Sequence, residues 1–190
     1  MSPADTAGSE APDVVDLLLT QHHEARSLFG QIQGTTGKAK KGSFDRLVKL
    51  LAVHETAEEM VVYPAVRSSG PDGDRLADAR TAEESQAKDA LSELERTDLN
   101  GPEFDTKLQA FEQLVDSHAS AEEREIFPLL RETQSQEQLA KMADALQTAE
   151  RVAPTHPHPH GPESAVGNVV VGPFVGVVDR VRDALRARAR

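Results

Sequence analysis

Two stretches of this chain carry the same polar signature. HETAEEMVVYP (residues 54–64) and HASAEEREIFP (residues 118–128) each set a glutamate four residues after a histidine, add a second glutamate and a hydrophobic pair, and close on proline. Four residues bring a helix slightly past one full turn, so His54 with Glu58, and His118 with Glu122, can point at one ion. A lone pair of this kind in an acidic helical protein is ordinarily a solvated surface pair. Here both pairs fall on the apolar stripe of their helix, where a carboxylate is costly to bury unless a cation or a donor meets it.

The repeat extends backwards. HHEARSLFGQI from His22 aligns with ESQAKDALSEL from Glu84, which puts Phe29 on Leu91 and Ile32 on Leu94. The chain therefore reads as two related helical hairpins, and each helix offers a ligand type at the same stripe position. The set is His22, His54, Glu58, Glu84, His118 and Glu122. Six side chains are too many for a tetrahedral zinc. They suit two octahedral ions that share bridging carboxylates and an oxo or hydroxo group, and mixed nitrogen and hard oxygen donors favour iron, with manganese as the alternative. Three carboxylates would leave two divalent ions at about plus one before a bridging hydroxide, a mild charge to bury.

The elements that must carry these residues follow from periodicity. Val15, Leu18, His22, Ala25, Phe29 and Ile32 form one helical stripe, and Leu47, Leu51, His54, Glu58, Val61 and Ala65 a second. Ala77, Arg80, Glu84, Ala87, Leu91 and Leu94 form a third, and Phe104, Leu108, Phe111, Val115, His118 and Glu122 a fourth. Breaker-rich segments GTTGKAKKGS, RSSGPDGD and DLNGP separate them. The expected fold is all-α, an up-down-up-down four-helix bundle over residues 13–150 that includes a shorter fifth helix through Leu139, Met142, Ala143 and Leu146. Residues 1–12 are expected to be disordered. A Pro/His-rich linker over 151–168 and an amphipathic helix over 169–190, which caps the bundle or pairs two copies as a homodimer, complete the expectation.

Composition removes other classes. A formal net charge of -11 over 190 residues argues against a nucleic-acid partner, and the absence of cysteine excludes disulfides, thiolate sites and a thiol nucleophile. The apolar run VVVGPFVGVV is too short and too interrupted to span a bilayer. The opening MSPADTAGSEAPD has neither a basic start nor an apolar run, so a cytoplasmic location is expected. No phosphate loop, dinucleotide fingerprint or Ser/His/Asp arrangement is legible.

His22 in QHHEARSLF together with the two HxxxEE…P strings resembles the hemerythrin-like HHE cation-binding domain over about residues 13–150. The resemblance implies a non-haem di-iron four-helix bundle that handles O2 or its reduced or nitrogenous relatives; the tail is similar to extensions on some actinobacterial members. One departure matters: the third helix of that family normally supplies a histidine where this chain has Glu84. An anionic oxygen ligand stabilises the ferric state, which disfavours reversible O2 carriage and moves peroxide breakdown, substrate oxidation or sensing forward. Arg80, four residues earlier, offers Glu84 an alternative role in an ion pair.

The expected function is reaction with or sensing of O2, peroxide or nitric oxide, with catalase-like or peroxidase-like turnover. The alternatives are a module for iron storage or sensing without turnover, and a purely structural bundle. Among the remaining candidates, His23 faces away from His22, and Glu59 and Glu123 read as outer or surface carboxylates. Tyr63 reads as a helix-end core residue, with a place near the site as a proton or electron donor as the alternative, and His156, His158 and His160 read as solvated linker histidines, with loose metal pick-up as the alternative.

Overall fold

The computed structural model describes residues 11–153. The expected C-terminal helix, nearly all of the linker and the first ten residues of the N-terminus lie outside the described residues. Helices follow as α1 (Val14–Gln33), α2 (Gly37–Ala57), α3 (Tyr63–Arg67), α4 (Gly73–Glu95), α5 (Pro102–Ala121), α6 (Phe127–Thr133) and α7 (Gln136–Glu150). Two π-helical turns, Glu58–Val62 and Glu122–Ile126, join α2 to α3 and α5 to α6 without a break. The result is the all-α bundle that periodicity predicts, with four long helical arms and α7 as the fifth helix.

Local chemistry sets the ends. Asp13 caps α1 through a reciprocal box with Asp16, and Ser135 caps α7 in the same way with Gln138. Gly73 begins α4 where the chain turns back against α3; a Cβ there would sit 2.2 Å from the Val66 carbonyl oxygen, so only glycine fits. One boundary differs from expectation. GTTGKAKKGS carries the breakers of a connection, yet α2 begins at Gly37 inside it. Tertiary contacts hold the added turns: Lys40 is buried, its Nζ 2.7 Å from Asp105 and 4.6 Å from the centre of the Phe104 ring.

Every residue of the four predicted stripes is buried. The apolar ones divide into two clusters. One gathers Val15, Leu18, Val61, Ala65, Ile126 and the inner face of α7; the other gathers Ala25, Phe29, Leu47, Leu91, Phe104 and Phe111. Each large side chain buried in them contributes roughly 1.5–3 kcal/mol. The polar stripe residues fall between the two clusters on all four arms, so apolar packing on both sides fixes the backbones that carry them.

The π turns explain the prolines that close both sequence repeats. Tyr63 N–H donates to the Glu58 carbonyl and Phe127 N–H to that of Glu122, each five residues back. The next residues are Pro64 and Pro128, which lack an N–H and whose rings would collide with a carbonyl four residues earlier in a regular α-helix. Widening the preceding turn relieves that collision and lets the helix continue.

Candidate metal centre

Between the clusters, ligand atoms of His22, His54, Glu58 and Glu122 lie within 4.8 Å of one another, and those of Glu58, Glu84 and His118 form a second group of the same tightness. Glu58 belongs to both. The structure thus brings together all six candidates named from sequence, all of them buried. His54 Nε2 is 3.2 Å from Glu58, while His22 Nε2 and His118 Nε2 stand 3.4 and 3.5 Å from the same oxygen of Glu122. His23 is exposed.

The opposite ring nitrogens follow one pattern. Nδ1 of His54 donates to Gln21 at 2.7 Å, that of His22 to Glu123 at 3.0 Å, and that of His118 to Glu83 at 3.1 Å. Each acceptor is the sequence neighbour of another member of the six: Gln21 of His22, Glu123 of Glu122, Glu83 of Glu84. Each is itself held. Gln21 Nε2 donates to Glu150 at 2.5 Å, Arg26 to Glu123 at 2.9 Å and Arg80 to Glu83 at 2.8 Å. A proton fixed on Nδ1 leaves the Nε2 lone pair facing the centre, which is the arrangement that orients metal-binding imidazoles.

Sequence reasoning missed Gln21 and Glu83. Their signal is adjacency: a residue beside an inward-facing one is turned about 100° round the helix, towards the neighbouring arm. Two contacts bear on alternatives that the sequence left open. Arg80 does not pair with Glu84; its guanidinium goes to Glu83, with Glu125 3.9 Å away, because one residue of helical rotation separates the inward Glu84 from the lateral Glu83. The cation beside Glu84 is instead Lys88 at 3.7 Å, which also meets Glu59 at 2.7 Å and Glu55 at 3.7 Å. Tyr63 is buried as expected, but its hydroxyl is shared between Glu84 and, at 3.0 Å, Glu122. The matching position in the second repeat is Phe127, whose ring stacks on His22.

Charge in this layer is unbalanced. Burial, reinforced by Glu122 and Glu84, pushes Glu58 well above the usual carboxylate range; burial and the charge of Glu55 do the same to Glu84. Burial also raises the Tyr63 phenol, so its proton stays in place. Glu122 is buried too, yet the imidazoles of His22, His118 and His54 around it outweigh that and hold it down at about 2. Burial, with His22 beside it, lowers His54 to about 3 and keeps it a neutral donor. Both oxygens of Glu58, one each of Glu84 and Glu122, and Nε2 of His22 and His118 have no hydrogen-bond partner. Buried acceptors without donors fit a cation. Four of the six, His22, His54, Glu84 and His118, also line a cavity of about 380 Å³.

A helical bundle with an interior layer of imidazoles and carboxylates defines the class of metal-binding bundles. Within that class, the chain belongs to the hemerythrin HHE cation binding domain family, whose model matches residues 13–130. It is similar to a hemerythrin-like protein of Schizosaccharomyces pombe, 25% identical over 90% of this chain and 86% of that one. A protein of Nostoc sp. named DNA nickase is 30% identical over 77% of this chain, which spans only 42% of that relative's length. A crystal structure of an HHE domain-containing protein from Mycobacterium kansasii shares the fold, with a TM-score of 0.67, 23% identity, and coverage of 75% of this chain and 87% of that one.

Proposed function

We propose that this chain is a non-haem di-iron protein that meets O2, peroxide or nitric oxide in the cytoplasm and breaks down hydrogen peroxide. The observation that carries the reading is the membership of Glu58 in both donor groups. His22, His54 and Glu122 would hold one ion, Glu84 and His118 the other, with Glu58 between them. When bound, iron supplies the one-electron steps that peroxide chemistry needs, and manganese is the alternative. The chain's own part is positional. Gln21, Glu123 and Glu83 aim the imidazoles, Tyr63 keeps a proton beside Glu84 and Glu122, and the two apolar clusters hold the helices that carry them. Two molecules of hydrogen peroxide giving two of water and one of O2 balances without an external reductant. Glu84 in place of an imidazole favours the ferric state, which supports peroxide chemistry over reversible O2 carriage.

Aerobic loading should give about two irons per chain and a near-ultraviolet charge-transfer band, as expected for a di-iron bundle. An oxygen electrode should record O2 release from added peroxide, abolished by chelation and by H54A or H118A. Iron without O2 release would favour storage or sensing without turnover. Failure to take up iron would end the metal reading.

A further inference from the structure

The cavity beside the donor layer is far larger than O2, nitric oxide or hydrogen peroxide requires. It measures about 380 Å³, whereas one water needs about 10–15 Å³ of such space. A volume of this size falls at the lower end of the range for sites that enclose small organic molecules, about 300–1,000 Å³. The sequence creates it at defined positions. Ala25 and Ala87 stand three residues after His22 and Glu84, and Ala119 directly follows His118. Leucine at these places would fill the space; alanine leaves it open between Phe29, Leu51 and Val115.

The mouth lies at the exposed side chains of Gln109, Gln113 and Asp116. Its charge disfavours anions. Glu55, Glu112 and Asp116 are acidic, and Arg26, the one arginine of the lining among the described residues, is engaged by Asp116 at 2.8 Å and Glu123 at 2.9 Å. Carboxylates in the lining can meet a cation, whereas the faces of Phe29, Leu51 and Val115 offer a charge no partner, so that part of the cavity takes an apolar body. A neutral guest with an apolar body fits, and its polar end would face the donor layer.

We propose that this cavity binds a small neutral aryl or alkyl hydroperoxide, or the corresponding alcohol, apolar body against Phe29, Leu51 and Val115 and oxygen head towards His22, His54, Glu84 and His118. The assignment of the head rests on the di-iron reading; the binding does not. It is tested with 2-phenyl-2-propanol, the alcohol of a common aryl hydroperoxide, titrated into the full chain by calorimetry and ligand-observed NMR, with iron content and helicity measured on the same samples. One saturable site is expected. A87L and A25L, each filling the cavity from a different helix, should weaken it at least tenfold with helicity unchanged. Iron-loaded protein that shows no saturable binding, or variants that bind as the parent does, would overturn the proposal while leaving the metal reading intact. Alcohol bound saturably by a chain that takes up no iron would support the cavity and overturn the metal reading instead.

Discussion

The side-chain carbonyl of Gln21 on α1 accepts from His54 Nδ1 on α2 at 2.7 Å, and its orientation is set by the fifth helix, where Glu150 takes the amide N–H at 2.5 Å. This chain of contacts ties α7, far from the donors in sequence, to the aim of one imidazole. Gln21→Leu keeps the volume and removes the acceptor. Outer partners of this kind typically govern metal affinity by 10–100-fold, so about that loss is expected in competition with a chelator, with helical content unchanged. Affinity equal to the parent's would show that His54 needs no such guide.

Tyr63 presents a different case, because its hydroxyl serves two carboxylates at once. In Tyr63→Phe, Glu84 and Glu122 lose their shared buried donor. The metal-free protein should lose about 1–3 kcal/mol, or roughly 2–4 °C of melting temperature per kcal/mol for a chain of this size. Iron should restore much of it, since a cation supplies what the phenol did. Thermal melts with and without iron check both halves.

The metal-free protein should also show an inverted pH dependence. Glu58 and Glu84 are raised, and Glu55 is raised to about 7 by burial against the opposing pull of Lys88. A carboxyl whose folded value exceeds its unfolded one, about 4.3, stabilises the fold at low pH and loses that contribution as pH climbs through the folded value. His54 works the other way: lowered to about 3 by burial, it costs stability as pH falls below its unfolded value of about 6.5. Three carboxylates outweigh one imidazole between pH 6 and 8, so chelated protein should melt higher at pH 6. Iron, which favours ionised carboxylates, should reverse the order. Equal melting at both values without metal would refute the carboxylate assignment.

What could be read in advance follows the reach of helical periodicity. Every residue the stripes marked is buried, because burial at three- and four-residue spacing leaves a local trace in sequence, although Leu28, Val48, Met60 and Tyr63 are buried outside them. Glu84 could be placed in the layer by its alignment with His22. Its neighbours could not, since whether Arg80 or Lys88 reaches Glu84 depends on the rotation of α4 and on Glu55 and Glu59 from the adjoining arm. The π turns left a trace in Pro64 and Pro128, but a proline equally marks a helix end. Tyr63 shows the ambiguity: it is the core residue that a helix end suggests, yet the helix continues past it and its hydroxyl turns into the donor layer, the alternative that its position also offered.

Glu84 and Lys88 set a donor-layer carboxyl and a cation on the same helix, 3.7 Å apart one turn from each other. Glu59 at 2.7 Å and Glu55 at 3.7 Å hold the ammonium there, and together with Glu84 they raise its pKa despite partial burial, so it stays charged. The two groups should therefore tune a bound metal in opposite directions. Glu84→His removes a negative charge and favours the ferrous state, raising the reduction potential; Lys88→Met removes a positive one and lowers it. A unit charge several Å away at an effective dielectric of about 20 amounts to about 1–4 kcal/mol, which is on the order of 50–150 mV for a one-electron couple. Redox titration of the iron-loaded variants, read through the charge-transfer band, measures both shifts. Movement of both variants in the same direction would mean that Lys88 acts on the site through packing, and that its charge is already neutralised by Glu55 and Glu59.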